Sequence, residues 1–239
     1  QEGAVPMFTG IIEEVGHVVS AQRNAQAMRL TIAGDVIFSD MKIGDSIAVN
    51  GVCLTVTSFA GKQFVADVMP ESVNMTTFSK FTSGQPVNLE RAMASNGRFG
   101  GHMVAGHVDG QGRIRQIRKL DNSVVFTIET TPDVLDYIIY KGSIAVDGAS
   151  LTVSKRERTY FEISIIPHTI ANTVLANAKV GTVVNLETDI AGRYIRHFMT
   201  LDKEPSSGSE AGNASRATGE AKQESKSFSK DWLMSKGFI

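Results

Sequence analysis

The chain contains one block of sequence twice. SIAVNGVCLTVTSF at 46–59 returns as SIAVDGASLTVSKR at 143–156, and seven of the eleven positions from IAVNGVCLTVT to IAVDGASLTVS are identical. Two more blocks recur in the same order, 96 or 97 positions later: MFTGIIEEVGHV at 7–18, and the segment at 64–90 that ends in VNLE. Each copy spans about 90 to 100 residues, longer than any solenoid repeat, so the pattern predicts two duplicated domains.

Each copy has the pattern of short strands. SIAVNG, LTVTSF, QFVADVM, PVNLERA, VVFTIETT and YFEISII alternate apolar and polar residues, and Asn50-Gly51 and Asp147-Gly148 are hairpin signals. Neither copy has a long amphipathic helix, although short helices are expected in VLDYIIYKG and after Pro70 and Pro167. We therefore predict an all-β chain of two tandem, homologous, six-stranded closed β-barrels, joined near ASNGRFGGH.

The pattern changes after the second copy. IAGRYIRHFMTLDK has apolar residues at helical spacing, and a polar low-complexity stretch at about 204–227 is expected to be disordered. The last segment, FSKDWLMSKGFI, is apolar again and predicts a short docking helix. The predicted divisions are tag or processing residues at 1–6, an N-terminal barrel at 7–97, a C-terminal barrel at 98–189 and a C-terminal helical segment at 190–239.

Charge and cysteine content exclude several classes of function. The formal net charge of −1 argues against nucleic-acid and anionic-membrane partners, and the most basic run, GRIRQIRKL, predicts a strand with one solvated face. Cys53 is the only cysteine, so an intramolecular disulfide and a thiolate metal cluster are excluded. No apolar run is long enough to span a bilayer, and the first ten residues lack the features of a signal peptide. We expect a cytoplasmic protein without a metal.

Five motifs carry a family resemblance. MFTGIIEEVG, VNGVCLTVT, GGHMVAGHVD, YIIYKGSIAVDGASLTV and VNLE together resemble the riboflavin synthase family of the alpha-chain type, from residue 7 to about 194. The resemblance implies lumazine-binding barrels, a homotrimer held by the C-terminal segment, and lumazine synthase as a candidate partner. It implies that two molecules of 6,7-dimethyl-8-ribityllumazine exchange a four-carbon unit. The products are riboflavin and 5-amino-6-(D-ribitylamino)uracil, in the last step of riboflavin biosynthesis, with no cofactor.

Positions that are identical in the two copies are candidates for binding one substrate twice. The hydroxyls of Thr55 and Thr152 can bond a heterocycle edge, although strand propensity alone also explains threonine there. Gly10 and Gly106 permit close backbone approach, or mark a β-bulge. Lys141 is a ring or ribityl contact by resemblance, or else an exposed charge. The substrate-binding residues that the resemblance implies are Gly10, Ile11, Ile12, Cys53, Leu54, Thr55, Asp67, Val68, Met69, Pro70, Glu71, Ser72, Gly106, His107, Val108, Lys141, Ser150, Leu151, Thr152, Ile166, Pro167, His168, Thr169, Ile170 and Ala171.

Positions that differ between the copies are candidates for chemistry. Cys53 faces Ser150 in the repeat, and a thiol is softer and more easily ionised than a hydroxyl, although a free cysteine is also a common small core residue. We expect Cys53 to line the N-terminal pocket without a covalent bond. His107 replaces Ile11 and can move protons near neutral pH, and Asp189, which replaces Ala92, can assist a hydroxyl or cap the next helix. The predicted catalytic residues are His107, Ser150, Thr152, Asp189 and Cys53, the first four of them as one polar cluster.

Two other functions compete with the enzyme. A lumazine-binding antenna protein would bind one ligand without reaction, and its second pocket would be degraded; here the second copy keeps GHVD, GASLTV and IPHT, which favours the enzyme. A flavin reductase module would need a nucleotide-binding domain with a Gly-rich strand–helix turn. FGGH is not such a turn, and no room remains for that domain.

Overall fold

The computed structural model describes residues 6–23 and 27–201. The chain divides into two compact units, one ending at Arg193 and the other starting at Tyr194. The predicted linker at 204–227, the last apolar segment and most of the predicted tag lie outside the described residues. Within the described part, no helix is long and apolar enough to cross a membrane.

The first copy is a seven-stranded antiparallel sheet in the order β4-β3-β7-β1-β2-β6-β5. A short helix, α1 (Pro70–Met75), starts at a proline, which is favoured at the first helical position. Two 3₁₀ turns lie at Val36–Ser39 and Thr77–Lys80. The strands are β1 (Glu14–Arg23), β2 (Met28–Ala33), β3 (Ser46–Val49), β4 (Val52–Thr55), β5 (Ser58–Ala60), β6 (Gln63–Val68) and β7 (Pro86–Arg91).

The second copy is a closed six-stranded barrel in the order β10-β11-β12-β9-β8-β13. Its helices are α2 (Pro132–Leu135) and α3 (Pro167–Ala171), with a 3₁₀ turn at Val174–Asn177. The strands are β8 (Gly110–Lys119), β9 (Val124–Thr130), β10 (Ser143–Val146), β11 (Ala149–Arg156), β12 (Tyr160–Ile165) and β13 (Val183–Thr188). The longer helix α4 (Ile190–Leu201) follows.

The duplicated all-β prediction is confirmed, with one difference between the copies. In the second copy, β11 pairs with both neighbours and closes the barrel, with a register shift between Val153 and Lys155. The matching segment of the first copy is broken at Val56 and Thr57 into β4 and β5, which stand at opposite ends of the sheet order. The first copy is therefore an open sheet of seven strands, not the predicted six-stranded closed barrel, whereas the second copy is a six-stranded barrel closed by a continuous strand with a bulge. The helices after Pro70 and Pro167 and the helix after Asp189 are confirmed.

Each sheet encloses its own apolar core. Alternate residues of the strands point inward, so that Leu30, Ile32 and Phe64 fill the first core, and Ile128 and Phe161 fill the second. A third, small cluster between the copies contains Phe8, Ala48, Val104 and Ala145. Because side chains fill the barrel interiors, a ligand site has to lie on the outer faces and rims.

The two hairpin turns of the repeat, one in each copy, contact each other. Asn50, Gly51, Asp147 and Gly148 all have positive φ, as a type I′ turn requires. A Cβ placed on Gly51 would lie 2.7 Å from the backbone nitrogen of Gly148. The approach is reciprocal, because a Cβ on Gly148 would lie 2.8 Å from the nitrogen of Gly51. The repeated Gly therefore serves contact between the copies as well as the turn itself.

The asparagine of VNLE joins the copies in both directions. Asn88 Nδ2 donates to the carbonyl of Asp147 at 2.8 Å, and Asn185 Nδ2 donates to the carbonyl of Asn50 at 2.9 Å. Their Oδ1 atoms accept backbone N–H groups, again from the opposite copy: Val174 donates to Asn88, and Thr77 to Asn185. Both side chains are buried. This identity between the copies is therefore explained by the interface.

Asp147 makes the folded protein sensitive to pH. Burial raises the pKa of its carboxyl to about 7, although the Asn185 N–H donated to Oδ1 acts in the opposite direction. A carboxyl whose pKa is higher in the folded state binds more protons when folded, so its contribution to stability falls as pH rises from about 4 to about 7. Asn50 occupies the equivalent turn position and accepts the N–H of Asn88 in the same way.

We expect Asp147→Asn to raise the free energy of unfolding at pH 8 by a few kcal/mol, since one pKa unit corresponds to about 1.4 kcal/mol. Below pH 4 the difference from the wild type should vanish, because Asp147 is then neutral in both folded and unfolded chains. Urea unfolding of both proteins at pH 3, 6 and 8 measures the difference. A variant that is less stable than the wild type at pH 8 would contradict this account.

Candidate functional site

Two loops cross between the copies next to the strands that carry Cys53 and Ser150. The first crossing loop is residues 8–12 and the second is residues 104–108. They pair where they begin: the Phe8 N–H donates to the Val104 carbonyl at 2.8 Å, and the Val104 N–H donates to the Phe8 carbonyl at 3.1 Å. Ile12 then packs on the core of the second copy, and Val108 packs on the core of the first.

Each crossing loop ends against the repeated strand of the other copy. The Gly10 carbonyl accepts the Ser150 N–H at 2.8 Å, and the Gly106 carbonyl accepts the Cys53 N–H at 2.9 Å. A Cβ on Gly10 would lie 2.6 Å from Cβ of Ser150, and one on Gly106 would lie 2.5 Å from Cβ of Cys53. Both glycines also have positive φ, near 80°, which favours glycine. The candidate sites are therefore built from both copies.

The glutamate of each VNLE motif accepts hydrogen bonds from the backbone of one crossing loop. Glu90 accepts the Thr9 N–H at 2.7 Å, the Thr9 hydroxyl at 2.8 Å and the Gly10 N–H at 3.0 Å. Glu187 accepts the Ala105 N–H at 2.6 Å and the Gly106 N–H at 3.0 Å. Burial raises the pKa of both carboxyls, that of Glu187 to about 7. The copies differ because Ala105 lacks the hydroxyl of Thr9.

His102 is a site residue that sequence reasoning missed. Its Nδ1 lies 2.6 Å from Oγ of Ser150, and its ring is buried. Burial lowers the imidazole pKa, and the negative charge of Asp189 opposes this shift, so the ring is neutral at pH 7. Its Nε2 is buried without a hydrogen-bond partner in the described part of the chain. The contact couples a neutral imidazole to a hydroxyl, which is an arrangement suited to proton transfer.

The predicted polar cluster is divided between two places. Ser150 lies with His102, whose pKa also responds to Asp189. His107, in contrast, is an exposed residue of the second crossing loop, directly after the Gly106 that contacts Cys53. The reason is the crossing itself, which carries each loop to the opposite copy. His107 and Ser150 therefore belong to different candidate sites.

Cys53 is half-buried on β4. Burial raises the pKa of its thiol, a hydrogen bond with Ser46 lowers it, and the charge of Glu187 raises it. The thiol is therefore protonated near pH 7, which makes it a weak nucleophile.

The remaining predicted residues occupy outer faces, rims or cores. Thr55 and Thr152 are exposed and lie opposite Ser46 and Ser143 in the register. Lys141 is exposed, with its ammonium over the Tyr140 ring, and Asp67 pairs with Arg29. Three predicted contacts lie in the cores: Leu54, Val68 and Leu151. The segments after β6 and β12 are exposed or half-buried throughout: Met69, Pro70, Glu71, Ser72, Ile166, Pro167, His168, Thr169, Ile170 and Ala171, as is Ile11.

A cavity of about 440 Å³ lies on the outer face of the second barrel beside Arg115 and Glu162, and its lining contains none of the predicted residues. Among the described residues, no three His, Cys, Asp or Glu side chains are grouped as a metal site.

The fold defines a duplicated β protein in which each copy places a loop against the repeated strand of the other. The lumazine-binding domain matches residues 9–92 and 105–189, and the chain belongs to the lumazine-binding domain family.

The similar proteins agree with this assignment. The chain is 52% identical over 193 residues to riboflavin synthase of Actinobacillus pleuropneumoniae, a match that covers 81% of this chain and 90% of that protein. It is 49% identical over 193 residues to riboflavin synthase of Bacillus subtilis, with the same coverage. The crystal structure of LumP complexed with riboflavin has the same fold, with a TM-score of 0.71 at 24% identity, over 76% of this chain and 98% of that one.

Proposed function

We propose that this chain is a riboflavin synthase, a transferase that makes riboflavin and 5-amino-6-(D-ribitylamino)uracil from two molecules of 6,7-dimethyl-8-ribityllumazine. The observation that carries the proposal is the pair of equivalent strand edges at Cys53 and Ser150, each covered by a loop from the other copy. Two equivalent sites suit a reaction that joins two copies of one substrate, because binding brings the reactants together before the chemistry begins. The relatives named riboflavin synthase support the same activity.

The reaction needs acid–base groups more than any external reagent. A proton leaves the C7 methyl group of one lumazine, and a nucleophile, water or a side chain, adds at C7 of the other. The two then join as the added nucleophile leaves, and elimination transfers four carbons from one ring system to the other while the abstracted protons return to the nitrogens of the uracil product. The carbons lost by one lumazine complete the new ring of its partner, so atoms and electrons balance between the two products.

The two sites offer different chemistry to their ligands. At the second-copy site, Ser150 carries a hydroxyl coupled to the neutral imidazole of His102. We assign proton handling to Ser150, with Thr152 and Asp189 beside it, and treat His102 as a positioning residue that acts through Ser150. At the first-copy site, Cys53 has a protonated thiol and His107 follows Gly106 on the covering loop. We assign Cys53 to ligand contact there and His107 to proton transfer.

The alternative function is that of a lumazine-binding antenna, since LumP has the same fold and its solved structures contain lumazine or flavin ligands. Ser150 and His102 argue against it, because a site that only holds a ligand does not need a coupled hydroxyl and imidazole. Incubation with 6,7-dimethyl-8-ribityllumazine alone, followed by absorbance, distinguishes the two. Riboflavin should appear, and titration of the protein with riboflavin should fill two sites per chain. One site per chain without turnover would establish the antenna.

The proposal also includes a homotrimer formed through residues 190–239, lumazine synthase as a partner, and a cytoplasmic location. The first two rest on the family resemblance, and the third rests on composition and on the single cysteine. Sedimentation equilibrium of the full chain tests the trimer.

A further inference from the structure

The two VNLE glutamates are connected to the candidate sites in a crossed manner. Glu187 belongs to β13 of the second copy, but its carboxylate binds the loop that covers Cys53 on the first-copy strand. Glu90 belongs to β7 of the first copy, but its carboxylate binds the loop that covers Ser150. Neither carboxylate is hydrogen-bonded to the repeated strand of its own copy within the described residues.

The geometry links each carboxylate to one strand edge through one residue. Gly106 donates its N–H to Glu187 at 3.0 Å and accepts the Cys53 N–H on its carbonyl at 2.9 Å. Gly10 does the same between Glu90, at 3.0 Å, and Ser150, at 2.8 Å. Both glycines have positive φ. Because glycine has no Cβ and adopts many backbone conformations, its own preferences do not hold it in this one. The buried carboxylates provide the restraint.

We propose that Glu187 is a positioning residue for the Cys53 site and Glu90 is a positioning residue for the Ser150 site. Each copy thus controls the shape of the other copy's site. The identity of the ligand in this proposal rests on the proposed function, but the control of the loops rests on the hydrogen bonds alone.

Glu90 and Glu187 restrain their crossing loops with different numbers of hydrogen bonds. Glu90 receives a hydroxyl from Thr9 in addition to two N–H groups, whereas Glu187 receives only two N–H groups because residue 105 is alanine. A glutamine amide nitrogen in place of Glu90 Oε1 would face the Thr9 N–H, but it could still donate to the Thr9 hydroxyl oxygen, since a hydroxyl both donates and accepts. At position 187 the amide would face a backbone N–H with no such acceptor. Glu187→Gln should therefore have the larger effect.

Cys53 reports on its own site, because it is the only cysteine of the chain and is half-buried. Two effects on its alkylation must be separated. The charge of Glu187 raises the pKa of the Cys53 thiol, so its removal alone increases the thiolate fraction. The charged groups that act on Glu187 are Asp109 and Arg193, and both remain unchanged in the variant. A full pH–rate profile separates the thiol pKa from the limiting rate of the thiolate, which reflects access.

The experiment compares Glu187→Gln with Glu90→Gln in the full chain. Iodoacetamide alkylation of Cys53 is measured without ligand from pH 6 to 10. The limiting rate of the thiolate, obtained by fitting this profile, should be about fivefold or more higher in Glu187→Gln than in the wild type. Glu90→Gln should stay within about twofold of the wild type. The affinity for 6,7-dimethyl-8-ribityllumazine, measured at pH 8 as protection of Cys53, should fall about tenfold in Glu187→Gln, as expected for a lost bond to a buried charge. Equal effects of the two substitutions on Cys53, or a larger effect of Glu90→Gln, would overturn the crossed control.

A third variant covers the case in which Glu187→Gln does not fold. Ala105→Ser supplies the hydroxyl that Thr9 provides in the first loop. Alone it should slow the limiting alkylation rate, and in the Glu187→Gln background it should recover part of the lost protection. An Ala105→Ser rate equal to or above the wild type would contradict the proposal. If the wild type binds no lumazine, the proposed function fails while the ligand-free rates still decide the crossed control.

Discussion

Replacing His102 by alanine is expected to lower kcat for riboflavin formation by about 100-fold, the scale of a lost acid–base contribution. The reason is the 2.6 Å contact between His102 Nδ1 and Ser150 Oγ, which gives the hydroxyl a buried, neutral proton partner. Because His102 acts through Ser150, KM should change much less than kcat. Steady-state kinetics with 6,7-dimethyl-8-ribityllumazine measures both constants.

Two comparisons make this result specific to the pair. Ser150→Ala should cause a similar loss, and the double variant should be no slower than the slower single variant, because residues that act as a unit are not additive. His17→Ala is the control, since His17 is an exposed residue of β1. Multiplicative losses in the double variant would show that His102 and Ser150 act independently.

Gly148→Ala is expected to destabilise the fold by roughly 3–5 kcal/mol, among the largest effects of a single substitution. The new Cβ would lie 2.8 Å from the nitrogen of Gly51, and neither backbone can move without disturbing the hairpin turn of its copy. The φ of Gly148 is +82°, so the alanine would also be strained in its own conformation.

Gly61→Ala separates the effect of the close approach between the hairpins from the effect of the positive φ. Gly61 also has positive φ, +58°, but a Cβ there would meet nothing within 4 Å. We expect it to cost about 1 kcal/mol, the price of the backbone conformation alone. Urea unfolding of both variants gives the difference, which measures the close approach of the two hairpins. Equal destabilisation would mean that the contact between the copies contributes nothing.

The repeat predicted the fold well because strand alternation and the Asn-Gly and Asp-Gly turns are local signals. The break at Val56 and Thr57 was not predicted, since its sequence differs little from Val153 and Ser154, where a bulge lets β11 continue. The asparagine and glutamate of VNLE were recognised as shared, but not their partners. The repeat in the sequence is the same whether these side chains form hydrogen bonds within their own copy or with the other copy.

The crossing of the loops explains why sequence order groups His107 with Ser150, although the structure places it in the loop that contacts Cys53. His107 lies in the second copy, so sequence order placed it with Ser150, whereas the chain carries it to the Cys53 side. His102 was missed because the repeat aligns it with Pro6, which precedes the first matched block, so comparison of the copies gave it no weight. The available signal was its position inside GGHMVAGHVD, one of the motifs that carry the family resemblance.

The stoichiometry of the products shows whether two identical substrate molecules react with each other on this chain. The full-length protein is incubated with 6,7-dimethyl-8-ribityllumazine as the only substrate, and chromatography quantifies every pyrimidine and flavin species over time. We predict one riboflavin and one 5-amino-6-(D-ribitylamino)uracil for every two lumazine molecules consumed. Bound, unreacted lumazine with no riboflavin, or riboflavin without an equal amount of the second product, would contradict the account.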